Sequence, residues 1–435
     1  MTKLKILNNK SKYKNGRIYL QGSKNSMLNN LCLPLYTKEK CKITNVPDIR
    51  DINDNLSFLS SLGCSVKKVN KNTVEIACKN LNKVDCDPKF SIKTTGSKLF
   101  IPILVNTFGG YRTGASQGCD IGDRGFLNYA NSLKNFGIGY KIRKDNLYEF
   151  YLTNEIQIDI TLPFPSFGLT VNAILAAIAS KHNFNINKIC QEAEIDNTIA
   201  MFNSMGAKIE INNDALLIGT TDKLYGCEFR NMSDRNAAVT YSIAALLSNI
   251  ELVIENYDDY KMDSFYHFLT MINAKYEVNK DSLIIYKSNL KLLNEDKLKI
   301  VAFLYPKFHS DWQPIISPLL TICPFKSYIE EWLFQNRLSH WKELGKMGAS
   351  FEYDNENDTR FIKDGFPHAV EVAGNSKLIG CSVHANDLRS AACLVLASLV
   401  AQGETIIENI EQLDRGYESF VKDLINLGAS MEYID

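Results

Sequence analysis

The hydrophobic pattern repeats two kinds of segment along the chain. In the first kind, a small or polar residue opens a stretch that is almost wholly apolar, which is typical of a helix buried on most of its faces. The segments of this kind are "GSKNSMLNNLCLPLY" from residue 22, "GSKLFIPILVNTF" from 96, "SFGLTVNAILAAIAS" from 166, "SDRNAAVTYSIAALL" from 233, "SDWQPIISPLLTI" from 310 and "NDLRSAACLVLASLV" from 386. We predict a buried helix in each, with its N-terminus left at a surface.

In the second kind, an amphipathic helical stretch such as "NDNLSFLSSLG" ends at a pivot residue and is followed by alternating apolar and polar positions. Gly and Asn tolerate the left-handed backbone that ends a helix before a strand. The pivot residues are Gly63, Gly137, Gly206, Asn273, Gly348 and Gly428. The two kinds of segment form six α/β units, which suit two globular domains of three units each better than a solenoid of shorter repeats.

Composition narrows the class of protein. The chain has 435 residues, 45% of them hydrophobic, and its net charge is zero, so nothing indicates a general attraction to nucleic acid or an anionic membrane. Eleven scattered cysteines never form CxxC, which favours reduced thiols in a cytosol over a disulfide framework or a zinc site. The longest apolar run, 391–401, is too short to span a bilayer. We expect a soluble cytoplasmic protein without metal or cofactor.

Charged residues at the starts of the apolar segments indicate function. Lys24, Arg235 and Arg389 stand where a helix begins, although a cation there opposes the helix dipole. Asp234 and Asp311 occupy similar positions, where an aspartate can simply cap the helix. Because an unfavourable placement recurs, we interpret the cations as an anion-binding set.

A glycine-rich segment, "GASQGCDIGDR" at 114–124, holds a single thiol, Cys119, close in sequence to Arg124. A thiol near a fixed cation in a mobile loop is a setting for cysteine chemistry. The alternative is an incidental cysteine in a surface loop.

Six motifs in order resemble those of the UDP-N-acetylglucosamine 1-carboxyvinyltransferase family, within the EPSP synthase-like superfamily. They are "GSKNS" at 22–26, "GCDIGDR" at 118–124, "FHSDWQ" at 308–313, "FQNRLSHWKELGKMGA" at 334–349, "ANDLRSAACLVLA" at 385–397 and "DRGYESFVKDLINLGA" at 414–429. The resemblance covers essentially the whole chain. It implies a two-domain inside-out α/β barrel, with residues 1–22 and 233–435 in one domain and 23–232 in the other.

The resemblance also implies an activity. Enzymes of the family transfer the enolpyruvyl group of phosphoenolpyruvate to the 3-hydroxyl of UDP-N-acetylglucosamine and release phosphate, the first committed step of peptidoglycan synthesis, and fosfomycin inactivates them. Such a transfer needs an acid, a base and several cations. By resemblance, Cys119 is the proton donor and Asp311 accepts the proton of the acceptor hydroxyl.

The remaining site residues follow from the same motifs. By resemblance, Lys24, Arg124 and Arg415 surround the phosphate of phosphoenolpyruvate, and Arg389 with Arg415 flanks its carboxylate. Lys24 and Arg415 also count as catalytic. The positions expected to contact or orient the nucleotide sugar are Asn25, Ser166, Gly168, Leu333 and Arg337. Asp234 and Asp387 match partners of the arginines, and Glu192 and Glu194 match either a cleft wall or a solvated surface. The expected partners are these two small molecules, without nucleic acid or membrane, for a monomeric protein.

Four positions depart from the family pattern on the nucleotide side: Thr95, Gly125, Leu127 and Phe164. Two alternatives therefore stay open beside the first hypothesis. One is the same transfer to a different nucleotide or sugar in a specialised pathway. The other is a catalytically silent relative that binds a nucleotide sugar.

Overall fold

A computed structural model describes residues 2–82, 96–114, 126–293, 296–354 and 366–435. The chain divides into two compact units. The terminal unit contains, among the described residues, 2–21 and 233–435; the middle unit contains 22–82, 96–114 and 126–232. Four residues singled out by the sequence, Thr95, Cys119, Arg124 and Gly125, lie outside the described residues.

The strands alternate with helices along both units. The strands are β1 (Lys3–Leu7), β2 (Gly16–Tyr19), β3 (Cys41–Thr44), β4 (Ser65–Asn70), β5 (Thr73–Ala77), β6 (Gly110–Thr113), β7 (Phe136–Ile142), β8 (Tyr148–Ile156), β9 (Asp159–Thr161), β10 (Phe184–Asn187), β11 (Lys208–Asn212), β12 (Ala215–Gly219), β13 (Glu228–Arg230), β14 (Leu252–Glu255), β15 (Tyr276–Asn279), β16 (Ser282–Ile285), β17 (Lys297–Phe303), β18 (Phe308–His309), β19 (Lys326–Glu331), β20 (Phe351–Asp354), β21 (Ala369–Val372), β22 (Ser382–His384), β23 (Glu404–Glu408) and β24 (Met431–Ile434).

The helices are α1 (Lys24–Asn30), α2 (Arg50–Ser61), α3 (Ile101–Phe108), α4 (Phe126–Ser132), α5 (Phe167–Ser180), α6 (Ala193–Ser204), α7 (Arg235–Ser248), α8 (Asp263–Met271), α9 (Gln313–Ile322), α10 (His340–Lys346), α11 (Leu388–Ser398) and α12 (Phe420–Asn426). Short 3-10 helices are Asn8–Lys10, Leu33–Tyr36, Ser97–Phe100, Leu133–Asn135 and Ile410–Arg415. The predicted α/β class is confirmed.

Within the described residues, each unit contains three sheets. In the middle unit their strand orders are β13-β3-β5-β4, β11-β12-β10-β9 and β6-β8-β7. In the terminal unit they are β22-β23-β1-β24, β15-β16-β14-β2 and β18-β17-β19-β21-β20. The N-terminal strands β1 and β2 complete two sheets of the terminal unit, where β1 lies antiparallel to β23 and β24 and β2 lies parallel to β14.

The apolar segments form the core, as their pattern predicts. Every residue of α11 is buried, and α7 is buried from Arg235 to Leu247. These two helices contact each other and α9, so that the terminal unit has a continuous interior of helix against helix. In the middle unit, α5 is buried from Leu169 to Ile178 and contacts α3. Removing these apolar faces from water is the main favourable term that orders the helices.

The pivot residues adopt the predicted left-handed backbone. Gly63 has φ of 90° and Gly428 has φ of 102°, while Asn273 reaches φ of 59° without being glycine. At Gly428 a side chain would also collide with the carbonyl of Lys12. The helix-to-strand turns are therefore specified locally.

One cysteine pair corrects the expectation that all thiols are reduced. Cys64 and Cys78 form a disulfide, with their Cα atoms 4.3 Å apart. They flank the antiparallel pair of β4 and β5, in which Ser65 lies opposite Ala77, so the register brings the two cysteines together. The spacing of the cysteines along the sequence did not indicate that these two would meet.

Two features are absent from the described part of the chain. No helix there is long and apolar enough to cross a membrane. The same residues contain no cluster of three or more His, Cys, Asp or Glu side chains that could hold a metal ion.

Candidate functional site

The centre of the candidate site in the terminal unit is Asp311, in the turn between β18 and α9. Its Oδ2 lies 3.1 Å from Nη2 of Arg389, and its Oδ1 pairs with Nη2 of Arg337. The side chains of Arg337 and Arg389 are only 2% and 6% exposed, whereas that of Asp311 is 19% exposed. One carboxylate therefore holds two nearly buried guanidinium groups at a point that solvent can still reach.

The charges of this cluster determine its protonation. Burial alone would raise the pKa of Asp311, but Arg389 and Arg337 outweigh burial and hold that pKa well below its usual range. Burial would lower the pKa of Arg389, and the Asp311 carboxylate beside it raises that pKa instead. Asp311 is thus ionised at neutral pH, and Arg389 remains a cation.

The helix starts supply the surrounding geometry. Asp387 caps α11 by accepting hydrogen bonds from the backbone N–H groups of Arg389, at 2.8 Å, and Ser390, at 3.2 Å. It also lies 3.7 Å from Nη1 of Arg337, so it is both a cap and an arginine partner. Asp234 caps α7 in the same way, through Asn236 and Ala237 at 2.9 and 3.1 Å.

Asp311 does not cap α9, which corrects the alternative that the sequence left open. Trp312 is the N-cap residue of α9, and its side chain makes no capping hydrogen bond. The backbone N–H of Asp311 donates to Nδ1 of His309 at 3.0 Å, and the indole of Trp312 donates to Asn236 at 2.9 Å. The carboxylate is therefore free of a capping role and pairs with the arginines.

Tyr417 contacts the guanidinium group of Arg389, and His340 contacts the backbone of Arg337. Arg389 donates from Nη1 to the hydroxyl of Tyr417 at 3.2 Å, and that hydroxyl lies 2.8 Å from the hydroxyl of Thr240. Next to Arg337, His340 is buried, with Nδ1 3.1 Å from the Arg337 carbonyl oxygen. Burial lowers the pKa of His340 to about 3, so this imidazole is neutral.

Arg415 and Leu333 lie in the same unit. Arg415 ends the last 3-10 helix and donates to Oε1 of Gln412 at 3.3 Å. The backbone N–H of Leu333 donates to Glu331 at 2.9 Å. Glu331 was not singled out by the sequence. The available signal was the period-2 alternation of β19, which puts Glu331 on the same face as Ser327 and Ile329, but the full burial of that face was not visible in the sequence.

In the middle unit, Lys24 begins α1 and pairs with Asp51 of α2. Nζ of Lys24 lies 2.7 Å from Oδ2 of Asp51, and both side chains are nearly buried, at 9% and 6% exposure. Ser23 caps α1 by accepting from the N–H of Ser26 at 3.3 Å, and Asn25, on the first turn, is half-buried. A buried anion thus stabilises the lysine that the sequence placed at an unfavourable helix end.

The N-terminus of α5 carries the predicted Ser166 and Gly168. Ser166 caps the helix by accepting from the N–H of Leu169 at 3.5 Å. A side-chain carbon on Gly168 would lie 3.9 Å from Nζ of Lys98, so an ammonium group faces this helix start. Two apolar side chains are exposed in the same unit, Leu127 by 48% and Phe164 by 36%. Backbone donors and one lysine there suit an anion.

Glu192 and Glu194 are buried rather than solvated, which excludes the surface interpretation of these two residues.

The sequence profile of the family EPSP synthase (3-phosphoshikimate 1-carboxyvinyltransferase) matches residues 8–424. The chain belongs to this family. The chain is also 32% identical to the UDP-N-acetylglucosamine 1-carboxyvinyltransferase of Wolbachia pipientis subsp. Culex pipiens, with 96% of each chain covered. A relative from Clostridium acetobutylicum, UDP-N-acetylglucosamine 1-carboxyvinyltransferase 1, is 31% identical, with 97% of each chain covered. The family resemblance inferred from the motifs is confirmed.

Solved structures give the same fold. The enolpyruvyl transferase NikO from Streptomyces tendae superposes with a TM-score of 0.87 at 18% identity, covering 99% of this chain and 98% of that one. The EPSP synthase of Acinetobacter baumannii gives a TM-score of 0.75 at 13% identity, with both chains fully covered. At these identities the likeness supports the fold alone.

Proposed function

We propose that this chain transfers the enolpyruvyl group of phosphoenolpyruvate to the 3-hydroxyl of UDP-N-acetylglucosamine and releases phosphate, the first committed step of peptidoglycan synthesis. The observation that carries the proposal is the Asp311 carboxylate held by Arg337 and Arg389. A base beside a pair of fixed guanidinium groups suits a reaction that deprotonates a hydroxyl next to an anionic substrate. Membership of an enolpyruvyl transferase family supports it.

The paired state of Asp311 has a consequence for the reaction. While both arginines hold it, the carboxylate is a weak base because its pKa is depressed. An anionic substrate carboxylate would share Arg389 and reduce that hold, which raises the pKa of Asp311. The base then becomes stronger only when phosphoenolpyruvate is bound, so the acceptor hydroxyl is deprotonated at the right stage.

Other roles follow the family. Cys119 would protonate the methylene carbon of phosphoenolpyruvate. The acceptor oxygen then attacks the adjacent carbon, and phosphate leaves as the added proton is lost. Lys24, Arg124 and Arg415 would contact the phosphate, and Arg389 with Arg415 the carboxylate.

On the proposed nucleotide-binding side, the support comes from one ammonium group and from uncharged backbone N–H donors. Lys98 near Ser166 and Gly168 supports diphosphate binding at the start of α5. Asn25, Leu333 and Arg337 would orient the sugar. We further propose a monomeric cytoplasmic enzyme that needs no cofactor, folded as two inside-out α/β barrel domains of residues 1–22 with 233–435 and of residues 23–232.

The experiment measures phosphate release from phosphoenolpyruvate with UDP-N-acetylglucosamine and with a panel of other nucleotides and sugars. We expect release with UDP-N-acetylglucosamine, loss of turnover in Cys119→Ala and Asp311→Asn, and retained turnover in Cys119→Asp, which also supplies an acid. Release with another acceptor alone would establish the alternative substrate. Nucleotide-sugar binding without release from any acceptor would identify a silent relative.

A further inference from the structure

Glu331, the last residue of β19, is a fully buried carboxylate that the proposed mechanism does not use. Its Oε1 and Oε2 accept from the hydroxyl of Ser310 at 2.9 and 2.8 Å. Oε1 also accepts from the backbone N–H groups of Leu333 at 2.9 Å and Phe334 at 3.1 Å. One side chain therefore joins two separate segments of the terminal unit.

These segments carry the two partners of the central ion pair. Ser310 directly precedes Asp311, and the turn at 333–334 leads to Arg337. Nε of Arg337 lies 3.4 Å from the carbonyl oxygen of Ser310, so the segments also contact each other directly. Displacing either segment would change the distance between the Asp311 carboxylate and its guanidinium partner.

We propose that Glu331 is a positioning residue for Asp311 and Arg337, acting through Ser310 and the 333–334 backbone. The proposal rests on the proposed function, because positioning is defined by the reaction at Asp311. Removal of the carboxylate takes this acceptor from a buried hydroxyl and from two partly buried N–H groups, so the turn must rearrange. A misplacement of about 1 Å at a reacting group is enough to cost on the order of a hundredfold in rate.

The test compares Glu331→Ala, Glu331→Asp and Glu331→Gln, with Glu330→Gln as the matched control on the same strand. Glu330 is partly exposed and accepts from the indole of Trp332 at 2.8 Å. We expect kcat to fall about 10- to 100-fold in Glu331→Ala with KM for phosphoenolpyruvate nearly unchanged, because the base rather than the anion site is displaced. Glu331→Gln keeps an acceptor oxygen at full length and is expected to restore kcat to within a fewfold.

The outcomes separate the two hypotheses. An inactive native chain, tested with every acceptor, overturns the proposed function and this role with it. An active native chain with unchanged kcat in Glu331→Ala overturns the role of Glu331 alone. Should Glu331→Ala not fold, Glu331→Asp decides, since its shorter side chain cannot reach both segments: kcat equal to that of Glu331→Gln would overturn the proposal.

A different observation concerns the sheet β13-β3-β5-β4, which carries two cysteine pairs. Cys64 and Cys78 close its β4–β5 edge. Strands β13 and β3 are parallel neighbours in this sheet; Cys41 begins β3, and Cys227 directly precedes β13. The backbone N–H of Lys42, the residue after Cys41, donates to the carbonyl oxygen of Cys227 at 2.8 Å. The parallel register that places Glu228 opposite Lys42 brings Cys227 and Cys41 to facing positions, and both are free thiols. Two cysteines that form no disulfide therefore occupy neighbouring positions in one sheet.

The backbone holds these two thiols together. Gly226 donates to Oε2 of Glu39 at 3.0 Å, and any side chain at position 226 would collide with the carbonyl of Lys40. Cys227 is partly exposed, whereas Cys41 is buried. The neighbouring Cys41 thiol also lowers the pKa of Cys227. Cys227 is thus the member of the pair that can meet a reagent in solution.

We infer that Cys41 and Cys227 form a site of disulfide exchange with soluble aliphatic disulfides. The Cys227 thiolate attacks one sulfur of the small disulfide, forms a mixed disulfide and releases one thiol. Cys41 then attacks the Cys227 sulfur, and its proton passes to the departing thiolate, which leaves as the second thiol. Two protein thiols are oxidised while one small disulfide is reduced to two thiols, so electrons balance.

The test incubates the full chain with oxidised glutathione and maps disulfides by mass spectrometry of unreduced peptides. We expect a Cys41–Cys227 link in the native chain, a persistent glutathione adduct on Cys227 in Cys41→Ser, and neither in Cys227→Ser. Cys381→Ser, which removes another partly exposed thiol, serves as the control and should leave the link unchanged. A native chain that keeps the adduct on Cys227 without closing the link, or that stays unmodified at both residues, overturns the inference.

Discussion

The starts of α11 and α5 both present backbone N–H groups at a helix N-terminus, but the side chains around those groups differ. At α11, Asp387 caps the helix while Arg389 extends from it to Asp311, so charge is nearly buried and paired on all sides. At α5, neutral Ser166 caps the helix and one lysine lies close by, with exposed Phe164 just before it. The first arrangement has a fixed geometry that depends on every partner. The second depends on backbone N–H groups, which most side-chain substitutions leave in place.

The largest expected effect is the loss of Arg389. Arg389→Ala leaves Asp311 with one fewer partner and should lower kcat/KM by about 10²–10³-fold, as for removal of a charge-stabilising donor. The free energy of unfolding, measured with urea, should fall by about 3–5 kcal/mol because a nearly buried ion pair is broken.

Arg17→Ala is the control for this substitution. Arg17 pairs with Glu255 at 2.9 Å on an exposed surface, where such a pair contributes about 0–1 kcal/mol. Equal destabilisation by the two substitutions would contradict the contrast between buried and exposed charge.

A pH series examines the same buried network. Burial raises the pKa of Glu331 to about 7, whereas its value in the unfolded chain is near 4.3. Between these values the folded state binds more protons, so this group's contribution to stability falls as pH rises towards 7. The free energy of unfolding of Glu331→Gln minus that of the native chain should therefore be larger at pH 8 than at pH 5. The expected increase is about 1–3 kcal/mol, since one pKa unit corresponds to roughly 1.4 kcal/mol. A constant difference across that range in urea unfolding would show that Glu331 does not titrate there.

The two helix caps can be compared directly. Asp387→Ala removes two capping bonds and a partner of Arg337, and should cost about 2–3 kcal/mol. Ser166→Ala removes a single neutral cap and should cost about 1 kcal/mol. Thermal unfolding of both variants checks the order, and a larger effect at Ser166 would reverse the comparison.

The smallest expected effect is a gain on the nucleotide side. Leu127 is nearly half exposed, so Leu127→Asp should change stability little. If UDP-N-acetylglucosamine is the acceptor, one regained polar contact contributes about 0.5–1.5 kcal/mol, a several-fold rise in affinity. Calorimetric titration of the native and substituted chains measures it. Binding of this ligand by the variant, with no binding by the native chain, would favour a different natural acceptor.

The sequence by itself determined the local structure and the kind of site. Buried helices, their aspartate caps at 234 and 387, and left-handed pivots such as Gly428 depend on neighbours within one or two turns. Local sequence therefore specifies them. The same motifs identified the family and directed attention to Asp311, Arg337 and Arg389.

Only the tertiary structure decided which charges and thiols meet. Asp311 could have capped α9, but burial of two arginines from distant segments provides it with stronger partners. Lys24 obtains Asp51, Cys64 obtains Cys78, and Glu331 acquires a raised pKa because it lies inside the fold. Pairing and burial of this kind depend on segments far apart along the chain. They are fixed by the removal of apolar surface from water, which a local pattern does not specify.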